Sequence, residues 1–256
     1  MSDEVLVERL RDRSVARITL NRPDKRNTIT WEMRQRIEDV FAELARDRRL
    51  RAVVVTGAGG TFSAGGDMRG FLEHDPYEFA HLGENLAAAE RCPLPVIAAV
   101  DGFCFGAGME LALSCDIRLC TDRAEFALPE ILRGQMPGSG GSQRLPRLIG
   151  WSRAKEMILR GRRMLAAEAL VSGLVCEVVP PERLAETALT IAGELCQRSP
   201  LALATLKAAL NRGMDTNLSA AMEIERKAYA MLRSTHDYRE GVESFFEKRD
   251  PEYEGR

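Results

Sequence analysis

Over roughly the first two thirds of the chain, short apolar runs alternate with one-sided helical stripes. VARITL (15–20), AVVVT (52–56), PVIAAV (95–100) and IRLC (117–120) are short, and most are followed by turn residues, which predicts strands. Between the first two, WEMRQRIEDVFAEL places Ile37, Val40, Phe41 and Leu44 at i, i+3, i+4 and i+7, the stripe of a helix with one buried face. Thr30, just ahead of it, is the expected N-cap. Strands alternating with such helices predict right-handed crossovers and a parallel sheet, hence an α/β fold. After Val175–Val179 the pattern changes, because residues from about 181 to 248 carry helical periodicity alone. Leu203, Leu206 and Leu210, then Leu218, Met222, Tyr229 and Leu232, then GVESFFEK, predict three amphipathic helices. The chain therefore divides into an α/β core over 1–195 and a helical region over 196–256, with no long linker, repeat or low-complexity tract.

Composition narrows the class. The 256 residues are 45% hydrophobic and 29% charged, as in an ordinary globular protein, and the formal charge of −2 leaves no electrostatic footprint for a nucleic-acid backbone. The six cysteines lack CxxC spacing and His74, His81 and His236 lack metal-ligand spacing, so free thiols and no metal site are expected. MSDEVLVERL has neither the basic nor the apolar part of a secretion signal, and no apolar run reaches membrane-spanning length. A cytoplasmic protein without membrane or nucleic-acid partners is the expectation.

Candidate chemistry enters with FCFGAGMELALSC (103–115), where Glu110 is the one charged side chain in an apolar, Gly-rich run. A carboxylate taken out of water has its pKa raised, which suits general acid/base work near neutrality. The glycine clusters GAGGTF (57–62), GAGMEL (106–111) and GSGGSQ (138–143) all fail the GxGxxG fingerprint, and no phosphate-cradling GxxxxGK[ST] occurs. TFSAGGD (61–67) and FGAGME (105–110) are instead stretches where small residues let a ligand approach the backbone, and one N–H from each would make an oxyanion hole. Glu130 follows a β-like run and Pro129, 20 positions after Glu110. That separation admits a helix, a strand and a turn between two acids of one cavity; a charge placed at a helix start is the plainer alternative.

NRPDKRNTI (21–29), FSAGGDM (62–68), PVIAAVDGFCFGAGMELALSCDIRL (95–119), PEILRGQMPGSGGSQRLPRLIG (129–150) and REGVESFFEKR (239–249) together resemble the crotonase family of enoyl-CoA hydratases and isomerases. The resemblance implies a spiral of repeated ββα units and a helical C-terminal trimerisation region, assembled as a homotrimer or a homohexamer (dimer of trimers). It implies an acyl-CoA thioester substrate, with no cofactor beyond the coenzyme A that the substrate carries. By motif, the amides of Ala64 and Ala107 hold an enolate oxygen, Glu110 activates water for attack at C3, and Glu130 delivers a proton to C2. Most relatives have glycine in place of Ala107. Lys25, Arg26, the turn Ala64, Gly65, Gly66 and Asp67, and Lys248 are the expected coenzyme A contacts, Lys248 in some relatives from a neighbouring subunit. Asp67 also suits a loop-holding role. Hydration of a 2-enoyl-CoA is the leading expectation. A thioester hydrolase, a double-bond isomerase, and a non-catalytic acyl-CoA-binding or RNA-associated protein are the alternatives. HDPYEFAHLGENLAAAE (74–90), the segment that covers the acyl end in relatives, is polar in its first half, which suits a polar or carboxylated acyl group.

Overall fold

The computed structural model describes residues 4–12, 14–72 and 74–256. The first three residues of the MSDEVLVERL reading lie outside them. In chain order the elements are β1 (Val5–Leu10), β2 (Val15–Leu20), α1 (Trp31–Leu44), β3 (Ala52–Gly57), the short helices α2 (Pro76–Ala80), α3 (Leu82–Leu86) and α4 (Ala88–Arg91), and β4 (Val96–Val100). There follow β5 (Phe103–Phe105), α5 (Ala107–Ser114), β6 (Ile117–Thr121), β7 (Glu125–Ala127), α6 (Gly141–Ile149), α7 (Trp151–Arg160), β8 (Met164–Leu165), α8 (Ala166–Ser172) and β9 (Glu177–Val179). The chain ends in α9 (Leu184–Cys196), α10 (Pro200–Met214), α11 (Leu218–Leu232) and α12 (His236–Glu247).

The large sheet runs β1-β2-β3-β4-β6-β9, parallel throughout except for the β1–β2 hairpin. Its two faces explain why β3 reads as an unbroken apolar run, since successive side chains of a strand point to opposite faces and both faces are covered. Val53 and Val55 pack in the cluster that holds Met33, Ile37, Val40, Phe41 and Leu44 of α1, while Ala52 and Val54 share the other with Leu184, Ala188 and Ala192 of α9. The helix stripe lies where the sequence places it, and Thr30 Oγ1 accepts from Met33 N–H at 3.2 Å as N-cap.

A second, smaller sheet has the order β5-β7-β8, and Ser63 joins it through an isolated parallel bridge to Cys104. Each turn of the spiral is thus a strand in the large sheet, a strand in the small sheet and a helix: β4, β5 and α5, then β6, β7 and α6. The consequence for function lies at the small sheet's edge. The segment at Ser63, β5 and β7 are parallel neighbours, spaced about 5 Å apart as strands are. The residues that follow each, 64–66, 106–107 and 128–130, therefore emerge side by side at the carboxyl ends of the strands, the place where parallel α/β sheets present ligand sites.

Candidate active site

Those three strand ends line a cleft of about 1040 Å³ that holds Ala64–Asp67, Gly106, Ala107, Glu110 and Glu130 together. The two glycine turns meet at its floor. Gly65 has φ +114° and Gly106 φ +49°, conformations that L side chains rarely adopt, and a β-carbon on Gly106 would lie 3.6 Å from Gly65 Cα and 3.1 Å from Glu130 Oε1. Only a bare backbone lets the turns and the acid share this space.

The first turn revises one sequence expectation. Ala64 N–H donates to the Arg26 carbonyl at 2.9 Å, so it does not face a ligand in the role the resemblance implies. Gly65 N–H donates to Ser63 Oγ at 3.2 Å and Asp67 N–H to the Ile29 carbonyl at 2.9 Å. Gly66 N–H is left as the amide of this turn without an acceptor among the described residues, because the parallel bridge between Ile29 and Gly66 uses the groups on either side of it. On the second turn Ala107 opens α5, and as a first helical residue its N–H has no intrahelical acceptor. Gly66 and Ala107, rather than Ala64 and Ala107, present the two N–H groups to the cleft.

Glu110 sits one turn into α5 and is buried at 2% exposure. Its Oε1 accepts from Ser139 N–H at 2.6 Å and Gly141 N–H at 3.0 Å, the amides at the start of α6. These two bonds fix the carboxyl group's direction. Glu130 is held differently. Its Oε2 is buried and meets no hydrogen-bond partner among the described residues, and burial, with the Glu110 charge adding to it, pushes its pKa up from 4.5 to about 7. One carboxyl is clamped by backbone donors and the other is left to share a proton, so the pair is set apart by its surroundings in the manner of an acid and a base.

Of the expected coenzyme A contacts, Lys25, Ala64, Gly65, Gly66 and Asp67 line the cleft. Asp67 holds the loop: its carboxylate accepts from Arg22 Nη1 at 3.2 Å and Arg69 Nε at 3.3 Å. Arg26 does not line the cleft; its carbonyl fixes the Ala64 amide and its guanidinium lies 5.6 Å from the centre of the Phe103 ring. Lys248 caps α12 in the left-handed region at φ +57° and is likewise not among the cleft-lining residues of the single chain. The sequence reading passed over Arg34, Ser139, Phe71 and Phe79, all of which face the cleft. A signal for Arg34 was present: it lies three positions before Ile37, on the buried stripe of α1, and it is 3% exposed.

A parallel-sheet spiral whose strand ends bring two acids and two open amides into one cleft defines an acyl-thioester enzyme of the crotonase type. The chain belongs to the enoyl-CoA hydratase/isomerase family, whose profile matches residues 11–256. It is similar to the short-chain-enoyl-CoA hydratase of Clostridium acetobutylicum, 39% identical over 92% of each chain. The 2,3-dehydroadipyl-CoA hydratase of Escherichia coli K12 is 38% identical over 96% of this chain and 97% of its own. Among solved structures, the enoyl-CoA hydratase from Bacillus anthracis superposes with a TM-score of 0.93 at 35% identity, covering 99% of this chain and all of that one.

Proposed function

We propose that the protein is an enoyl-CoA hydratase, adding water across the 2,3 double bond of a 2-enoyl-CoA. The observation that carries this reading is the facing of two unlike carboxyls: Glu110 clamped by two amides, Glu130 buried with one oxygen unpartnered and its pKa near 7. A double-bond shift needs one acid that moves a proton, whereas hydration needs a base at the water and an acid at carbon, and both are here.

The thioester carbonyl oxygen takes the N–H groups of Gly66 and Ala107, and charge developing on it as the enolate forms is stabilised there. One donor of this kind contributes about 3–4 kcal/mol to the transition state. Glu110 removes a proton from water as the oxygen bonds to C3; the electron pair of the double bond passes to C2 and the thioester oxygen. Glu130, protonated over a useful fraction at neutral pH, gives its proton to C2 and the enolate collapses. Transfer of the proton left on Glu110 to Glu130 restores the starting state. The only coenzyme in this scheme is the one esterified to the substrate, and the nucleotide enters past Lys25.

The assembly belongs to the same proposal. No residue of α10 or α11 is buried in the single chain, and their apolar faces are covered by second and third copies in a trimer or a dimer of trimers. No helix among the described residues is long and apolar enough to cross a membrane.

The direct test follows crotonyl-CoA with purified protein, reading the conjugated-enone absorbance and free thiol together. Loss of absorbance without thiol is expected. Thiol release would assign a hydrolase instead, and inertness toward every conjugated thioester would refute hydration.

A further inference from the structure

Arg34 stands out in a cleft that otherwise offers carboxyls, amides and aromatic rings. It projects from the first turn of α1 and lines the cleft, while being 97% withdrawn from solvent, with 3% of its surface exposed. Its Nη1 donates to Ser139 Oγ at 3.1 Å, and Ser139 N–H is the group that donates to Glu110 at 2.6 Å. Arg34 is thus one residue removed from the carboxyl assigned to water. Burial lowers its pKa to about 10, with the Glu110 charge opposing that fall, and the guanidinium stays cationic at neutral pH.

The route to it is apolar. Phe71 stands against the Gly66 turn, within 2.8 Å of where a Gly66 β-carbon would be, and packs edge-on against Phe79 at 5.3 Å between ring centres. Phe79 in turn meets Trp31, one helical turn before Arg34 on the same face of α1, at 5.8 Å. An acyl chain anchored by its carbonyl at Gly66 and Ala107 has aromatic walls along its methylenes and a buried cation beyond them. A cleft for simple alkyl chains has no use for a desolvated guanidinium, whereas an anionic acyl terminus gains a planar, two-pronged partner from it.

We infer that Arg34 sets substrate choice in this cleft, selecting 2-enoyl-CoA thioesters whose acyl chain ends in a carboxylate over those that end in a methyl group. This deepens the hydratase reading and rests on it for the location of the acyl chain.

The test compares pairs of equal length. Wild-type protein is assayed for hydration of carboxyl-ended and methyl-ended 2-enoyl-CoAs over graded chain lengths, and calorimetry gives Kd for the saturated counterparts, adipyl-CoA against hexanoyl-CoA. At the best-fitting length the carboxylated member is expected to lead by about 100-fold in kcat/KM, mostly through KM, and to bind more tightly as the saturated thioester. Arg34→Met is expected to bring both ratios near one, and Arg34→Lys to restore part of the selectivity. A wild-type preference for methyl-ended chains in both measurements overturns the inference, and that comparison needs no variant to fold. So does an Arg34→Met enzyme that loses kcat alike on both members with a shifted pH profile, since Arg34 would then act through Glu110 alone. If adipyl-CoA binds selectively and no enoyl-CoA is hydrated, the hydratase reading fails and the assignment of Arg34 survives.

Discussion

The cleft and the C-terminal helices handle the same two kinds of side chain in opposite ways. In the spiral, apolar residues are buried and two acids are buried with them; Glu110 at 2% exposure is surrounded by a core in which Leu111, Val96 and Val100 have none. In α10–α12 charges sit in water and the apolar residues do too, with Leu210 61% exposed, Leu218 76% and Phe245 78%. The spiral completes its core within one chain, which frees it to hold acids under strain. The helices form their stripe without a surface to put it on, and an exposed apolar face of that extent marks a protein interface. One firm attachment ties them to the core: Lys207 of α10 lies 2.8 Å from Asp116 and donates to the carbonyls of Ala89 and Leu94. Chemistry resides where the chain is self-sufficient, and assembly where it is not.

The largest effects come from breaking the acid pair. Glu110→Gln and Glu130→Gln are each expected to lower kcat by about 10³-fold while coenzyme A thioesters still bind, as loss of a general base or acid does. Their pH behaviour separates them. Glu130 acts as the acid, so in wild type kcat is expected to fall as pH rises through about 7, where its carboxyl loses its proton. The sign for stability is also fixed: a carboxyl whose pKa is 4.5 unfolded and about 7 folded binds its proton more tightly in the native state, so stability falls as pH rises between those values. Glu130→Gln removes that loss. Its melting temperature is expected to match wild type below about pH 4.5 and exceed it above pH 7, and equal shifts at both ends would contradict the burial of this acid.

Next comes the backbone. Side-chain scanning does not touch an amide donor, but proline does, and the first position of a helix is where proline is tolerated. Ala107→Pro is expected to lower kcat by about 10²-fold or more with little change in the circular dichroism spectrum. Full activity would remove Ala107 from the oxyanion hole. The helices answer to a different measurement. Leu206→Asp with Leu210→Asp is expected to convert the assembly to monomers by light scattering, and an unchanged mass would show that this face of α10 is not the interface.

How much of this was legible beforehand follows the same division. The parallel sheet was readable because β3 and β4 are buried on both faces and so appear as unbroken apolar runs, and α1 because its stripe is regular. The small sheet was missed, since three-residue β5 and β7 and two-residue β8 are too short to show a period. Glu110 announced itself as a charge in an apolar run. Arg34 obeyed the same rule, yet stood among the charged residues of α1, where only knowledge of the buried face singles it out. Choosing the amide of Gly66 over that of Ala64 depended on which N–H the Arg26 and Ile29 carbonyls engage, and those contacts join segments over 35 positions apart. No local pattern encodes them.

The smallest effect tests whether the two regions meet in function. Lys25 lies on the cleft, half-exposed and 3.8 Å from Asp24, whereas Lys248 lies at the end of α12, away from the cleft of its own chain. Both are placed to meet phosphate through solvent, so alanine at either is expected to raise KM by only about 3-fold, with kcat unchanged and the difference fading in high salt. The distinction appears when each is combined with the aspartates in α10. Lys25→Ala keeps its effect on KM in the dissociated protein, because that lysine and its cleft belong to one chain. Lys248→Ala adds nothing further there if its phosphate lies in another subunit's cleft, since dissociation has already removed the contact. An undiminished Lys248 effect in the monomer would mean that α12 folds back on its own cleft in solution and that the helices serve the site within one chain.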